Sequence, residues 1–304
     1  MRCGEPLSDS LTVLTSMLRR RLEGRASGWL AESTSEIGAG VSSTRFASLI
    51  SLASRFAPRR RLEPDEGEIE AARESLPGWN PERWTLLEAV RVGLVLAHLD
   101  PEDSAFAKTL EDCFRYADVG ELCALYRALA HLPVGERFVW RAAEGCRTNM
   151  RSVFEATACD TPYPARHFDD VAWRQLVVKA VFIGAPLWRV FGLDERLSPE
   201  LARMALDLAD ERRSAGREVQ PELWLCLGPH GGERGLTSLE TELASPNALC
   251  RRAAVLGLAR AGREDRVEHL FGEESHPEVV QTARLALEGR HDQWAFRALS
   301  RQES

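Results

Sequence analysis

The sequence predicts an all-α fold of antiparallel helix pairs stacked as a right-handed, HEAT-like α-α superhelix, and three observations carry that expectation. Apolar residues recur at three- and four-residue spacing along most of the chain, and no stretch alternates as a half-buried strand would. Proline- or glycine-bearing breaks of about two to six residues separate the periodic runs, the connection length of packed helix pairs. Leu249-Cys250-Arg251-Arg252-Ala253 is echoed thirty residues on by Val279-Val280-Gln281-Thr282-Ala283, each copy following a proline, Pro246 or Pro277. Such repeats stack because one helix pair cannot bury its own apolar face.

Taken in order, Leu11, Leu14, Leu18 and Leu22 define a first helix ending by Gly24, and a second runs near Trp29 to Ile37. Phe46, Leu49, Ile50, Leu52 and Phe56 define a third from Ser42, stopped at Pro58 because proline cannot continue the ladder. The acidic segment from Glu63 to Glu70 reads as a surface linker into a short helix. Asn80-Pro81 places a cap before a first-turn proline and predicts a long apolar helix from Glu82 to Leu99. Asp100-Pro101 starts another to about Tyr116, Val119 to His131 forms the next, and Pro133-Val134-Gly135 breaks before one ending near Arg147. Ser198-Pro199-Glu200 caps a helix continuing to Ser214. The glycine-rich run 228–235 lacks the spacing and preceding strand of a phosphate cradle and reads as a flexible break. A last helix near Asp292 to Leu299 caps the C-terminal repeats. The division expected is 1–65, an N-terminal helical segment; 66–230, a helical core; and 231–304, HEAT-like repeats, together one continuous domain.

Composition narrows the function classes. At 304 residues, 44% apolar and 28% charged, the chain has the make-up of a globular protein with a sizeable core. A net charge of −7 argues against a surface built to neutralise phosphates, so no nucleic-acid partner is expected. Arg19-Arg20-Arg21 and Arg59-Arg60-Arg61 read as solvated faces. Seven cysteines without a C-x-x-C pair signal neither a disulfide framework nor a zinc site, and fit a reducing cytosol. The start of the chain lacks the unbroken apolar run of a secretory leader, and no segment has the length of a membrane span. No cofactor or metal is expected, and the location expected is cytoplasmic.

Unusual chemistry concentrates between Thr148 and Trp188. Glu155 has apolar neighbours, Phe154 and Ala156, and burial would prepare its carboxyl for acid-base work; the alternative is one solvent-facing carboxylate on an amphipathic helix. Asp160 closes that helix before Thr161-Pro162-Tyr163-Pro164, which two prolines are expected to hold extended, so that backbone stiffness rather than a helix aims Tyr163. His167 has no partner at metal-ligand spacing. Asp169-Asp170 lack the third acidic residue of a magnesium pair, and Asp170 reads better as a helix cap. Lys179, one of two lysines against thirty-seven arginines, lies in an apolar run; burial would make it a nucleophile or proton acceptor, whereas snorkelling would carry its charge to water. Farther on, Arg212 sits in a charged helix end before Trp224.

Thr148-Asn149-Met150, Phe154-Glu155-Ala156, Asp160-Thr161-Pro162-Tyr163-Pro164, Phe168-Asp169-Asp170 with Trp173, Lys179-Ala180, Pro221-Glu222-Leu223-Trp224 and Gly228-Pro229 together resemble the EboA family. The resemblance covers about residues 80–230. It departs at Thr161, where the family pattern has Asn, and at Arg174-Gln175-Leu176, where it has Asn-Gln-Met. It implies an all-helical bacterial protein encoded beside a UbiA-like prenyltransferase, a TatD-like hydrolase and a sugar-phosphate-cyclase-like enzyme, in clusters that make or export secondary metabolites. It brings no catalytic residue with it.

Two readings follow. In the first, a helical-repeat protein binds a small-molecule metabolite or pathway enzymes, with Asn149, Tyr163, His167, Asp170, Trp173, Arg212 and Trp224 lining the site. In the alternative, a cofactor-independent cyclase or isomerase uses Glu155 or Asp160 to move a proton and Lys179 or Arg212 to stabilise negative charge. A third reading, a helical repeat that grips DNA, ranks last because of the net charge.

Overall fold

The computed structural model describes residues 6–98, 100–270 and 274–300. Leu99, the expected end of the long apolar helix, and Cys3 at the start of the chain lie outside them. Among the described residues the regular structure is helical, with no strand; one antiparallel bridge joins Arg61 and Thr85. The chain divides into two compact units, residues 1–169 and 170–304.

The first unit holds α1 (Pro6–Arg19), α2 (Gly24–Gly38), α3 (Ser43–Leu52), α4 (Glu66–Ser75), α5 (Leu86–Leu96), α6 (Ser104–Tyr116), α7 (Val119–Ala128), α8 (Val139–Arg147), α9 (Arg151–Ala158) and α10 (Tyr163–His167). Helix α5 is its axis. The run from Leu86 to Leu96 is apolar almost all round because α1, α2, α3 and α7 all pack on it, and a helix surrounded by protein needs no polar face. Its start differs from the expected one. Asn80 caps only a short 3-10 turn, Pro81–Arg83, and the helix begins three residues later under a capping box in which Thr85 and Glu88 bond each other's backbone N–H.

The acidic stretch before α4 is not a free linker. Leu62 N–H donates to Trp84 O and Leu86 N–H to Arg60 O, pinning residues 60–62 beside 84–86. Asp65 and Glu68 form a second capping box. Within the Arg19–Arg21 run, solvated in expectation, Arg21 is mostly buried. Its guanidinium donates to both Glu68 carboxylate oxygens, at 2.8 and 2.5 Å, and to the carbonyls of Met17, Leu62 and Glu63. A planar five-donor group can serve so many acceptors at once, which a solvated charge would not.

Helices α8 and α9 approach closely because position 145 has no side chain. A Cβ on Gly145 would lie 2.6 Å from Thr157 Oγ1 and 2.7 Å from the Tyr126 ring. Gly145→Ala is expected to lower stability by about 1–3 kcal/mol through overpacking. A thermal melt matching the parent would show that the two helices separate without cost.

The second unit holds α11 (Asp170–Ile183), α12 (Pro199–Ser214), α13 (Gly232–Leu243), α14 (Ala248–Arg260), α15 (Glu264–His269) and α16 (Pro277–Leu287). Ser198 Oγ accepts from Leu201 N–H at 3.2 Å and Pro199 occupies the first turn, so α12 starts and stops where the sequence placed it. The two echoed segments lie on α14 and α16, which pack together, while α13 covers another side of α14. Small residues, Ala253, Ala254 and Gly257, keep α14 thin at those crossings. The run 228–235 is not a flexible break: residues 228–230 form a 3-10 turn and α13 begins at Gly232. Gly228, at φ +45°, lies where a Cβ would meet Leu197 Cδ1 at 2.5 Å, so close packing rather than looseness requires glycine there. The final segment, Gln293–Leu299, is a 3-10 helix with Asp292 as its cap.

Candidate functional site

In the first unit, α9 presents Val153, Phe154, Ala156, Thr157 and Ala158 inward. Glu155 is part-buried beside them. Its Oε1 accepts from Arg151 Nε at 2.7 Å, an i,i+4 pair along the same helix. Asn149 precedes the helix and is exposed.

Asp160 follows the helix end with φ +58°, in the left-handed region that aspartate tolerates better than most residues. The turn it makes delivers its carbonyl to Asn80 N–H at 3.0 Å, and the residue is buried. The next segment is not extended. Pro162 adopts helical angles and Tyr163 opens the five-residue helix α10, with Pro164 in its first turn, where a missing N–H costs nothing.

Tyr163 and His167 come together on α10, with ring centroids 4.6 Å apart. The platform under them is the break 133–135. Val134 is held at φ +51°, a strained conformation for a β-branched residue, and Gly135 follows. Tyr163 Oη donates to Gly135 O at 2.6 Å, and a Cβ on Gly135 would lie 2.7 Å from His167 Nε2. Burial pushes the Tyr163 hydroxyl well above its ordinary pKa, so it stays a proton donor at neutral pH. Burial also lowers the His167 pKa, opposed by Glu136, whose carboxylate is 3.8 Å from Nδ1. That imidazole is neutral at pH 7.

In the second unit, Asp170 is the first residue of α11, where its charge complements the helix dipole. Its carboxylate also accepts from Arg196 Nη2 at 2.9 Å, and the same guanidinium lies 4.7 Å over the buried Trp173 ring. Lys179 carries its ammonium 5.3 Å from the ring of Phe182, which is two-thirds exposed. That is the snorkelling arrangement, a cation on an aromatic face at the protein surface. Arg212 Nε donates to Glu218 O at 2.7 Å and ties down the chain leaving α12. Trp224 is fully buried in a 3-10 segment, Pro221–Cys226, and the guanidinium over it, at 5.5 Å, belongs to Arg213 rather than Arg212.

Glu222, in the segment 221–224, is a further part-buried carboxylate that the sequence does not mark as an acid-base residue. Its carboxylate accepts from Leu187 N–H at 2.5 Å and from Ser300 Oγ at 2.9 Å, while Ser300 accepts from Trp188 Nε1 at 2.6 Å. Burial raises its pKa, with the Ser300 and Leu187 hydrogen bonds opposing. The signal lay in its apolar neighbours, Pro221 and Leu223, which a carboxylate on an exposed helix shares.

The described cysteines are buried free thiols. Burial pushes Cys123 up to about 11 and Cys113 and Cys226 up to about 12, which leaves no thiolate for nucleophilic chemistry at those positions at pH 7. No described helix is long and apolar enough to cross a membrane.

Set against known proteins, residues 10–228 match the family model described as Metabolite traffic protein EboA. No curated protein and no solved structure matches the chain.

Proposed function

The chain belongs to the EboA family, and from that membership we propose that it is a cytoplasmic helical-repeat protein that binds a small-molecule intermediate, or a pathway partner, in bacterial secondary-metabolite biosynthesis or precursor export. The match to a family described by metabolite traffic, over residues 10–228, is the observation that carries the reading. The packing of α14 on α13 and of α16 on α14 and α15 supports HEAT-like repeats within the second unit.

Binding is favoured over catalysis by where the polar groups of the middle stretch are engaged. Glu155 faces Arg151, Asp170 faces Arg196, Arg212 is held by a carbonyl, and Lys179 rests on Phe182. Carboxylates paired with guanidinium groups, as Glu155 and Asp170 are, make poor proton carriers, and the Tyr163 hydroxyl is committed to Gly135 O beside the neutral His167 ring. The alternative, a cofactor-independent cyclase or isomerase using Glu155 or Asp160, rests on their placement within α9 and just beyond its end.

The experiment that separates the two incubates the purified chain and its Glu155→Gln variant with a small-molecule extract of the producing cells, followed by non-denaturing mass spectrometry. Expected is the same metabolite retained at unchanged mass by both proteins. Conversion of that metabolite by the parent but not by Glu155→Gln would replace the binding reading with the enzymatic one.

A further inference from the structure

A groove of about 430 Å³ opens in the first unit between α2 and the end of α3, lined by Arg25, Ala26, Trp29, Leu52, Arg55 and Phe56. It lies outside the middle stretch, so nothing said of Glu155 or Tyr163 bears on it. Trp29 and Phe56 form its apolar wall, their rings parallel to within 4° with centroids 4.3 Å apart. Both rings are only part-buried. The Arg25 guanidinium stands 5.4 Å over Phe56, and Arg55 lines the same groove from the 3-10 turn Ala53–Arg55.

The charge of this place is out of keeping with its surroundings. The protein is acidic overall, and several arginines of the first unit are matched with carboxylates: Arg20 with Asp65, Arg21 with Glu68, Arg45 with Glu36. Among the described residues no carboxylate lies within ion-pair distance of Arg25 or Arg55. Two like charges brought to one groove repel unless an anion sits between them, and rings left part-wet beside them gain by being covered. Guanidinium forks suit carboxylate and phosphate oxygens, and a stacked indole and phenyl suit an apolar body.

We propose that this groove binds a small amphipathic anion, with a phosphate or carboxylate head held by Arg25 and Arg55 and an apolar body laid against Trp29 and Phe56. The volume is that of a small-molecule site rather than of a protein interface. Both arginines are exposed and support no other described contact beyond the Phe56 ring, so replacing them leaves the core intact.

The test titrates the full chain calorimetrically with dodecyl phosphate below its micellar concentration, with inorganic phosphate, and with phosphatidylglycerol vesicles. Saturable binding of dodecyl phosphate is expected, with inorganic phosphate weaker and with Arg25→Gln/Arg55→Gln binding about tenfold or more weakly at an unchanged melting temperature. Equal binding by the double variant, or no saturable binding by the parent, overturns the proposal. Preference for vesicles over the monomeric phosphate also overturns it, because the site would then be a membrane contact.

Discussion

Replacing His131 by leucine is expected to flatten the acid limb of the protein's stability profile. The imidazole is buried between Trp79 and Trp84, its centroid 4.6 and 6.1 Å from theirs with the rings nearly perpendicular. No hydrogen-bond partner serves His131 Nδ1 or either indole N–H among the described residues. Burial alone pushes the His131 pKa down to about 3. The unfolded chain, with a histidine near its ordinary 6.5, therefore takes up a proton first as the solution is acidified. Stability from keeping this ring neutral is complete above pH ~6.5 and declines as the pH falls from there towards 3. The slope approaches about 1.4 kcal/mol per pH unit, so roughly 2 kcal/mol is lost between pH 6.5 and 5. His98 and His167, also lowered by burial, add to the slope in both proteins and cancel in the comparison. Urea unfolding of parent and His131→Leu at pH 7.5 and 5.0 measures the difference. Equal pH dependence in the two would mean that His131 is solvated or already protonated in the fold.

Helix α12 was legible because its signals are local: a serine cap, a first-turn proline and a glycine after the end act within one turn of the residues they govern. The start of α6 was misplaced where such signals compete. Asp100-Pro101 and Asp103-Ser104 both carry a capping aspartate, and Asp100 Oδ1 spends itself on Asp103 N–H while Asp103 caps the helix. The segment 161–164 was misjudged for a related reason. A residue before proline avoids helical angles in a chain interior, but at the first position of a helix the clash falls where no ladder bond is needed.

Of the site, sequence located the residues and not their company. Tyr163 and His167 are one turn apart on α10, so their contact follows once that helix is granted. The partners of His131 are Trp79 and Trp84, about fifty residues earlier, and no periodicity links positions so far apart. The groove at Arg25 and Arg55 was missed for the same reason: thirty residues separate its two charges, and each alone is an ordinary surface arginine. Lys179 sits in an apolar run that also holds the exposed Phe182, and its ammonium rests on that ring, the snorkelling alternative of the two that the run allows.

The second large effect is expected at Glu121, whose loss strands a charge in the core. Arg91 points from the axial helix α5 into the interior and is 1% exposed. Its Nε donates to Ile50 O at 3.1 Å and its Nη2 to Glu121 Oε1 at 3.3 Å, while Nη1 has no partner among the described residues. Burial lowers the Arg91 pKa, with Glu121 foremost among the charges that oppose it, yet a guanidinium does not shed its proton at neutral pH. Glu121→Ala leaves the cation buried without its counter-charge, at about 3–5 kcal/mol. It also removes the capping-box carboxylate that accepts from Asp118 N–H at 3.0 Å, about 1 kcal/mol more. Arg91→Met removes the charge itself and fills much of its volume, and is expected to cost less than Glu121→Ala. Adding Arg91→Met to Glu121→Ala should then restore part of the lost stability. A denaturant-measured cycle in which the two losses simply add would mean that water reaches Arg91 in solution and that the pair contributes nothing to the core.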